Sequence, residues 1–244
     1  MRIGLGVYLV SSALPQEVTP QTIMGASTVA WWRADKGITL NGATVSAWAD
    51  QGPSGFHLTQ GTAAAQPDFV AAGGPNGTPS VLFKGTDDFL RNATLDRPAP
   101  STTPTFVWTV MRQVTWGANL RFWCFGTANL GLAVLGQTAT PQISMSNTTV
   151  VNANTALTVN TYKRMEVYFS GSTSDYLKVG ATSVTGASAG VVDNAARFTL
   201  GARGDDLSPS NVEYPEFAIF SALPSAAQLT ALDAYAVNRY GAVT

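Results

Sequence analysis

Tyr162-Lys163-Arg164-Met165-Glu166-Val167-Tyr168-Phe169-Ser170, then Gly171-Ser172-Thr173-Ser174-Asp175, then Tyr176-Leu177-Lys178-Val179, is the stretch that decides the fold. Met165, Val167 and Phe169 alternate with Glu166 and Tyr168, the period of two that a strand requires. Residues 171–175 between the two runs are small and polar, so the stretch predicts a β-hairpin. Alternation with one polar face predicts an antiparallel sheet set on a core by one side.

The same signature recurs on both sides of this hairpin. Short strands are expected at 29–33, 45–50, 80–84, 89–92, 105–112, 121–125, 130–135, 142–146 and 148–151, and again at 197–202 and 212–220. Turn chemistry separates them: Gln51-Gly52-Pro53, the Gly/Pro/Asn-rich segment 71–79 and the Pro-rich segment 98–104. About a dozen strands at this spacing describe a sandwich or barrel. Only 225–240 changes period. Ser225 with Gln228 forms a capping-box pattern, and Leu229, Leu232, Ala236 and Tyr240 share one helical face. Arg239 sits in the last turn and Gly241 is a natural stop, so a closing helix is expected. The expected fold is all-β, a two-sheet antiparallel jelly-roll sandwich with one C-terminal α-helix.

Composition narrows the function classes. The chain has 244 residues, a size one sandwich can occupy, with 45% apolar residues. Charged residues make up only 12% and the net charge is -1, with no basic run longer than Lys163-Arg164, so neither nucleic acid nor an anionic membrane is an expected partner. No stretch approaches the roughly 20 apolar residues of a spanning helix. Cys124 is the only cysteine and His57 the only histidine, which excludes an intrachain disulfide and a cysteine-built zinc site. Residues 1–25 read as an arm outside the strand pattern. Its apolar start, 3–10, resembles a weak signal peptide but is short and carries Gly4 and Gly6. Ile3, Leu5, Val7, Tyr8 and Leu9 are the residues expected to dock the arm on a partner or on its own sheet. Residues 26–244 are the expected domain.

Trp31-Trp32-Arg33-Ala34-Asp35, Trp48-Ala49-Asp50-Gln51-Gly52-Pro53-Ser54-Gly55, Gln66-Pro67 and 80–90, with Phe198 to Gly201, Tyr214 to Phe220, Leu223 and Arg239-Tyr240-Gly241, form an ordered pattern. Over about residues 28–241 it resembles the laminin-G-like, concanavalin-A-like jelly rolls of tailed-phage and bacterial structural proteins, with the middle poorly matched. The resemblance implies two packed antiparallel sheets with loops at one end free to bind glycan. It also implies a place in a virion as a tail-fibre, head-fibre or capsid-decorating subunit. The partners then expected are other virion proteins, further copies of the chain in a homo-oligomer, and host-surface glycan. The alternative is a free carbohydrate-binding, lectin-like module, and a glycoside hydrolase ranks third.

A glycosidase needs two carboxylates flanking the bond. The chain has four glutamates, Glu17, Glu166, Glu213 and Glu216; Glu213 and Glu216, three apart, are expected on opposite faces of a strand. No catalytic residue is therefore assigned, and the chain is expected not to be an enzyme. His57 is expected to be structural, since no nucleophile motif accompanies it. Calcium is the one conceivable cofactor, with Asp87, Asp88, Asp205 and Asp206 as candidate ligands, although aspartates favour turns in any case. Arg203-Gly204-Asp205 is an integrin-type tripeptide too short to weigh. Asn76-Gly77-Thr78, Asn92-Ala93-Thr94 and Asn147-Thr148-Thr149 match the glycosylation pattern and read as turns. Trp31, Trp32, Trp48, Trp108 and Trp123 are expected in the core. Trp116, in what reads as a hairpin loop, is expected exposed, and with Asn119 and Arg121 forms the candidate site for a glycan or partner protein.

Overall fold

The computed structural model describes residues 16–96, 104–126, 133–136, 141–147, 149–170, 175–186 and 196–243. The chain runs through α1 (Pro20–Met24), β1 (Thr28–Arg33), β2 (Ile38–Asn41), β3 (Thr44–Trp48), β4 (Leu58–Thr59), β5 (Asp68–Val70), β6 (Ser80–Lys84) and β7 (Leu90–Asn92). It continues through β8 (Thr105–Gln113), β9 (Leu120–Phe125), β10 (Ala133–Gly136), β11 (Gln142–Asn147), β12 (Thr149–Ala156), β13 (Lys163–Phe169) and β14 (Asp175–Val179). It ends with β15 (Thr182–Gly186), β16 (Phe198–Leu200), β17 (Asn211–Phe220) and α2 (Ala226–Tyr240).

The strands form a two-sheet antiparallel sandwich. In the first sheet β17 is central. β8 pairs along one side of it, followed outward by β13, β14 and β15. Its other side is shared, with β6 along Asn211 to Tyr214 and β1 along Glu216 to Phe220, and β5 beyond β6. The second sheet runs β2, β3, β4, β7, β16, β9, β10, β11, β12. A single pair, Thr44 with Asp68, carries the hydrogen bonding from one sheet to the other at a corner.

The core between the sheets is aromatic. Trp32 stacks on Phe198 with ring centroids 5.6 Å apart, and Trp123 meets Phe169 and Phe217 edge-on. The expected hairpin is β13–β14, with Met165, Val167 and Phe169 facing this core. Its other face is largely covered: Arg164, Glu166 and Tyr168 are buried, and Tyr176 and Lys178 are half-buried. A second core lies on the outer side of the first sheet, where Trp31, Phe106, Trp108, Val110, Ala218 and Phe220 pack beneath Leu232, Tyr235, Ala236 and Tyr240 of α2. The domain therefore has three layers, and consecutive Trp31 and Trp32 are both buried because each face of β1 is covered.

Helix α2 begins and ends as expected. The Ser225 hydroxyl accepts from the Gln228 N–H, the Gln228 side chain returns to the Ser225 N–H, and Gly241 closes the helix at φ +72°. Residues 16–25 carry more order than an arm reading implies. Thr19 caps α1 with its own capping box, and α1 packs on α2 with Met24 in the helix-side core. Glu17 pairs with Arg33 at 2.6 Å and with Lys36 at 3.0 Å. Ile3, Leu5, Val7, Tyr8 and Leu9 lie outside the described residues.

Candidate functional site

The carboxylates require a correction. Val212 and Tyr214 of β17 face the inter-sheet core, and so do Phe217 and Ile219, while Ala218 and Phe220 face α2. The parity changes because β17 carries a bulge: Glu213 pairs with Arg112 but Glu216 with Val110, three residues on one strand against two on the other. Pro215 sits in that bulge, where the missing N–H costs no ladder bond, and its carbonyl accepts from the Ala34 N–H at 2.9 Å. Glu213 and Glu216 thus share the helix-side face, and the expectation of opposite faces fails.

Both are roofed by neighbours. Glu216 accepts from Trp31 Nε1 at 2.5 Å, Tyr240 Oη at 2.6 Å and Tyr235 Oη at 2.9 Å. Burial pushes its carboxyl up to about 6 despite those donors. Glu213 accepts from the Ser80 hydroxyl and from Arg112 Nε at 2.8 Å. Glu166, on the same face, pairs with Arg164 and Lys178. Glu216 holds the helix to the sheet, while Glu213 and Glu166 tie neighbouring strands together. A groove of about 640 Å³ runs over it, lined by Glu17, Asn76, Tyr235 and Arg239 among others. Several of its polar groups are engaged: Arg239 reaches Asp35 and Tyr240, and Asn76 donates to the Arg239 carbonyl.

The outer face of the second sheet differs. Thr59 pairs with Arg91, Arg91 with Thr199, and Thr199 with Cys124, which makes one row across β4, β7, β16 and β9. Arg91 lies over the Phe89 ring, 4.6 Å from its centroid, and pairs with Asp206. Loop 201–210 runs along this face. The Gly204 carbonyl accepts from Arg197, Asp205 pairs with Arg203, and the Ser208 carbonyl accepts the Arg121 N–H. Arg91, Arg121 and Arg197 therefore meet the loop that carries Arg203, Arg121 through its backbone N–H. Burial and the neighbouring Arg197 charge pull Arg91 down to about 10, so it stays cationic at neutral pH. Burial lowers Arg121 as well. The Nε of Arg91 and the hydroxyl of Thr199 are buried and have no hydrogen-bond partner among the described residues. Beside them lies a hollow of about 360 Å³ lined by Thr59, Gln60, Gly61, Thr62, Phe89, Arg91, Ala93 and Asp206.

The residues singled out from sequence fall in several places. The loop carrying Trp116 is not a hairpin: it crosses from β8 in the first sheet to β9 in the second. Trp116 is half-buried against the core, 6.4 Å from the Phe122 ring, and Asn119 is exposed with φ +60°. Arg121 belongs to the arginine face. Asp205 and Asp206 are engaged by Arg203 and Arg91. Asp87 contacts the Thr86 hydroxyl, and buried Asp88 accepts the Lys84 N–H at 2.7 Å. Among the described residues no group of three or more His, Cys, Asp or Glu is placed to hold a metal. The His57 Nδ1 accepts from the Asp50 N–H at 3.0 Å. Sequence reasoning missed Phe89, Arg91, Thr199 and Arg197. The alternation of Phe89 and Arg91 about Leu90 was a legible signal, but nothing in it announced the partners on β16.

No known family profile matches the sequence, and no curated protein matches it. Solved structures do. A GH54 α-L-arabinofuranosidase soaked with 4-nitrophenyl α-L-arabinofuranoside is similar at 14% identity and TM-score 0.62, over 81% of this chain and 51% of that one. Trypanosoma rangeli sialidase in complex with sialic acid is similar at 11% identity and TM-score 0.59, over 88% and 34%. The ligand-binding domain of botulinum neurotoxin serotype D, in complex with N-acetylneuraminic acid, is similar at 10% identity and TM-score 0.65, over 92% and 56%. The chain spans between a third and just over half of these structures, and the likeness is one of fold. It overturns the expectation that the chain is not an enzyme. That expectation was drawn from a missing carboxylate pair, yet the fold is shared with two glycoside hydrolases.

Proposed function

We propose that this chain is a carbohydrate-binding β-sandwich that takes sugar in the hollow beside Arg91. The observation that carries the reading is Arg91 lying over the Phe89 ring, with a buried Nε–H that has no acceptor among the described residues, at the wall of a polar hollow. Sugar sites combine an apolar surface for the ring with a few placed polar groups, and Phe89 with Gln60, Thr59, Thr62 and Arg91 supplies both. Proteins of the same fold that bind or cleave sugars support it. The test is a glycan array followed by calorimetry on the best ligand, with Phe89→Ala and Thr62→Ala beside the native chain. Binding that falls at least tenfold in Phe89→Ala, with melting unchanged, is expected. Equal binding by both variants overturns the placement. Release of reducing ends from the bound glycan reports hydrolysis in the same experiment.

The resemblance of residues 28–241 to phage sandwiches supports a location for this activity, on a virion and in contact with other virion proteins and further copies of the chain. Deleting residues 2–15 leaves Glu17 and the Thr19 cap in place. Such particles should lose the protein while the isolated domain stays folded; normal incorporation overturns the assignment of those residues to docking.

A further inference from the structure

Resting on the carbohydrate reading, the geometry points to a sugar that carries a carboxylate, which docks on Arg91 in the place where Asp206 now sits. Among the described residues, Arg91, Arg121, Arg197 and Arg203 stand with Asp205 and Asp206 around loop 201–210, so the described part of the face carries more positive than negative charge. Asp205 is held by Arg203 through two contacts at 2.5 and 2.6 Å, which leaves Asp206 as the anion facing Arg91. Asp206 suits a displaceable occupant. It is 41% exposed, sits at the rim of the hollow, and stands at φ +71° on a loop rather than in a strand.

Arg91 suits the receiving side. Its guanidinium carbon lies over the Phe89 ring, 4.6 Å from the centroid, and Arg197 adds a second cation near it. A planar carboxylate accepts two parallel N–H bonds from one guanidinium. The Arg91 Nε–H is one of the edges that would make such a fork, and it is without an acceptor among the described residues. The buried Thr199 hydroxyl, paired in register with Arg91, is a further donor in the same condition. The observed occupant of Arg91 is itself a carboxylate, which is the reason for choosing that group over a sulfate.

The experiment titrates the full chain with sialyllactose and oligogalacturonate, with lactose and carboxyl-reduced oligogalacturonate as neutral counterparts, and with a sulfated lactose. At least one carboxylated sugar should bind tenfold or more tightly than its neutral counterpart, with affinity falling as salt rises. Arg91→Gln should remove that preference. Asp206→Asn should raise affinity for the acidic sugar severalfold, because a competing anion is gone, whereas a purely structural aspartate would only weaken binding. Arg197→Gln gives a second, milder loss if Arg91→Gln melts early. Neutral sugars bound as well as acidic ones, a preference for the sulfated sugar, or weakened acidic binding in Asp206→Asn overturns this inference and leaves the carbohydrate reading standing. Failure of every sugar, acidic and neutral, overturns the carbohydrate reading as well.

Discussion

The Tyr235 hydroxyl lies 2.9 Å from each carboxylate oxygen of Glu216, which fastens α2 to the central strand of the first sheet. Trp31 and Tyr240 complete the cage, so a buried carboxylate is met by three donors from two elements, β1 and α2. Tyr235→Phe removes one donor and leaves the carboxylate under-satisfied. A loss of about 1–3 kcal/mol is expected, read by urea unfolding at neutral pH. No change would mean that Trp31 and Tyr240 suffice.

Glu216 also sets a pH dependence. Its ordinary value of 4.5 is raised to about 6 in the fold. Between those two pH values the folded protein holds a proton that the unfolded chain has released. The contribution is fully present below 4.5 and is lost as pH rises through about 6, a fall of roughly 2 kcal/mol. Glu17 acts in the opposite sense. Held at about 2 by Arg33, it gives stability above 4.5 that is lost as pH falls through about 2. The difference between native and Glu216→Gln unfolding curves, taken from pH 4 to 7, isolates the first effect. A flat difference would refute it.

Gly201 stands at φ +88° with the Phe83 ring where a Cβ would go. Gly201→Ala strains the backbone and overpacks the core at once, and should cost about 2–4 kcal/mol. Gly61→Ala is the control, because a Cβ there meets nothing within 4 Å. Thermal melts of the two variants should separate clearly.

The Ser225 cap is testable by itself. Ser225→Ala removes the acceptor for the Gln228 N–H and should cost about 1 kcal/mol. Because α2 roofs Trp31 and Trp108, part of the change should appear in tryptophan fluorescence.

Much of this architecture was legible because it is local. The period of two in 163–169, the caps at Ser225 and Gly241, and the burial of five strand tryptophans follow from residues close in the chain. Short pieces were missed. Ile38–Asn41, Asp68–Val70 and Thr182–Gly186 have little apolar pattern, and they are strands because a neighbour offers its edge. The polar alternation of Glu166 predicts a solvent-facing side, yet Glu166 is 2% exposed, because Arg164 and Lys178 pair with it and α2, 60 residues later, packs on that side of the sheet.

By itself the sequence determined the class of fold, since strand periodicity and helix capping are set by neighbours a few residues apart. Only the tertiary structure decided which faces meet. One inserted residue at the Pro215 bulge turned Glu213 and Glu216 to the same side, and spacing rules that assume an unbroken strand cannot see it. The arginine face arises the same way: Arg91 and Arg121 come from distant points of the chain and reach Arg197 and Arg203 only through strand register and the course of loop 201–210.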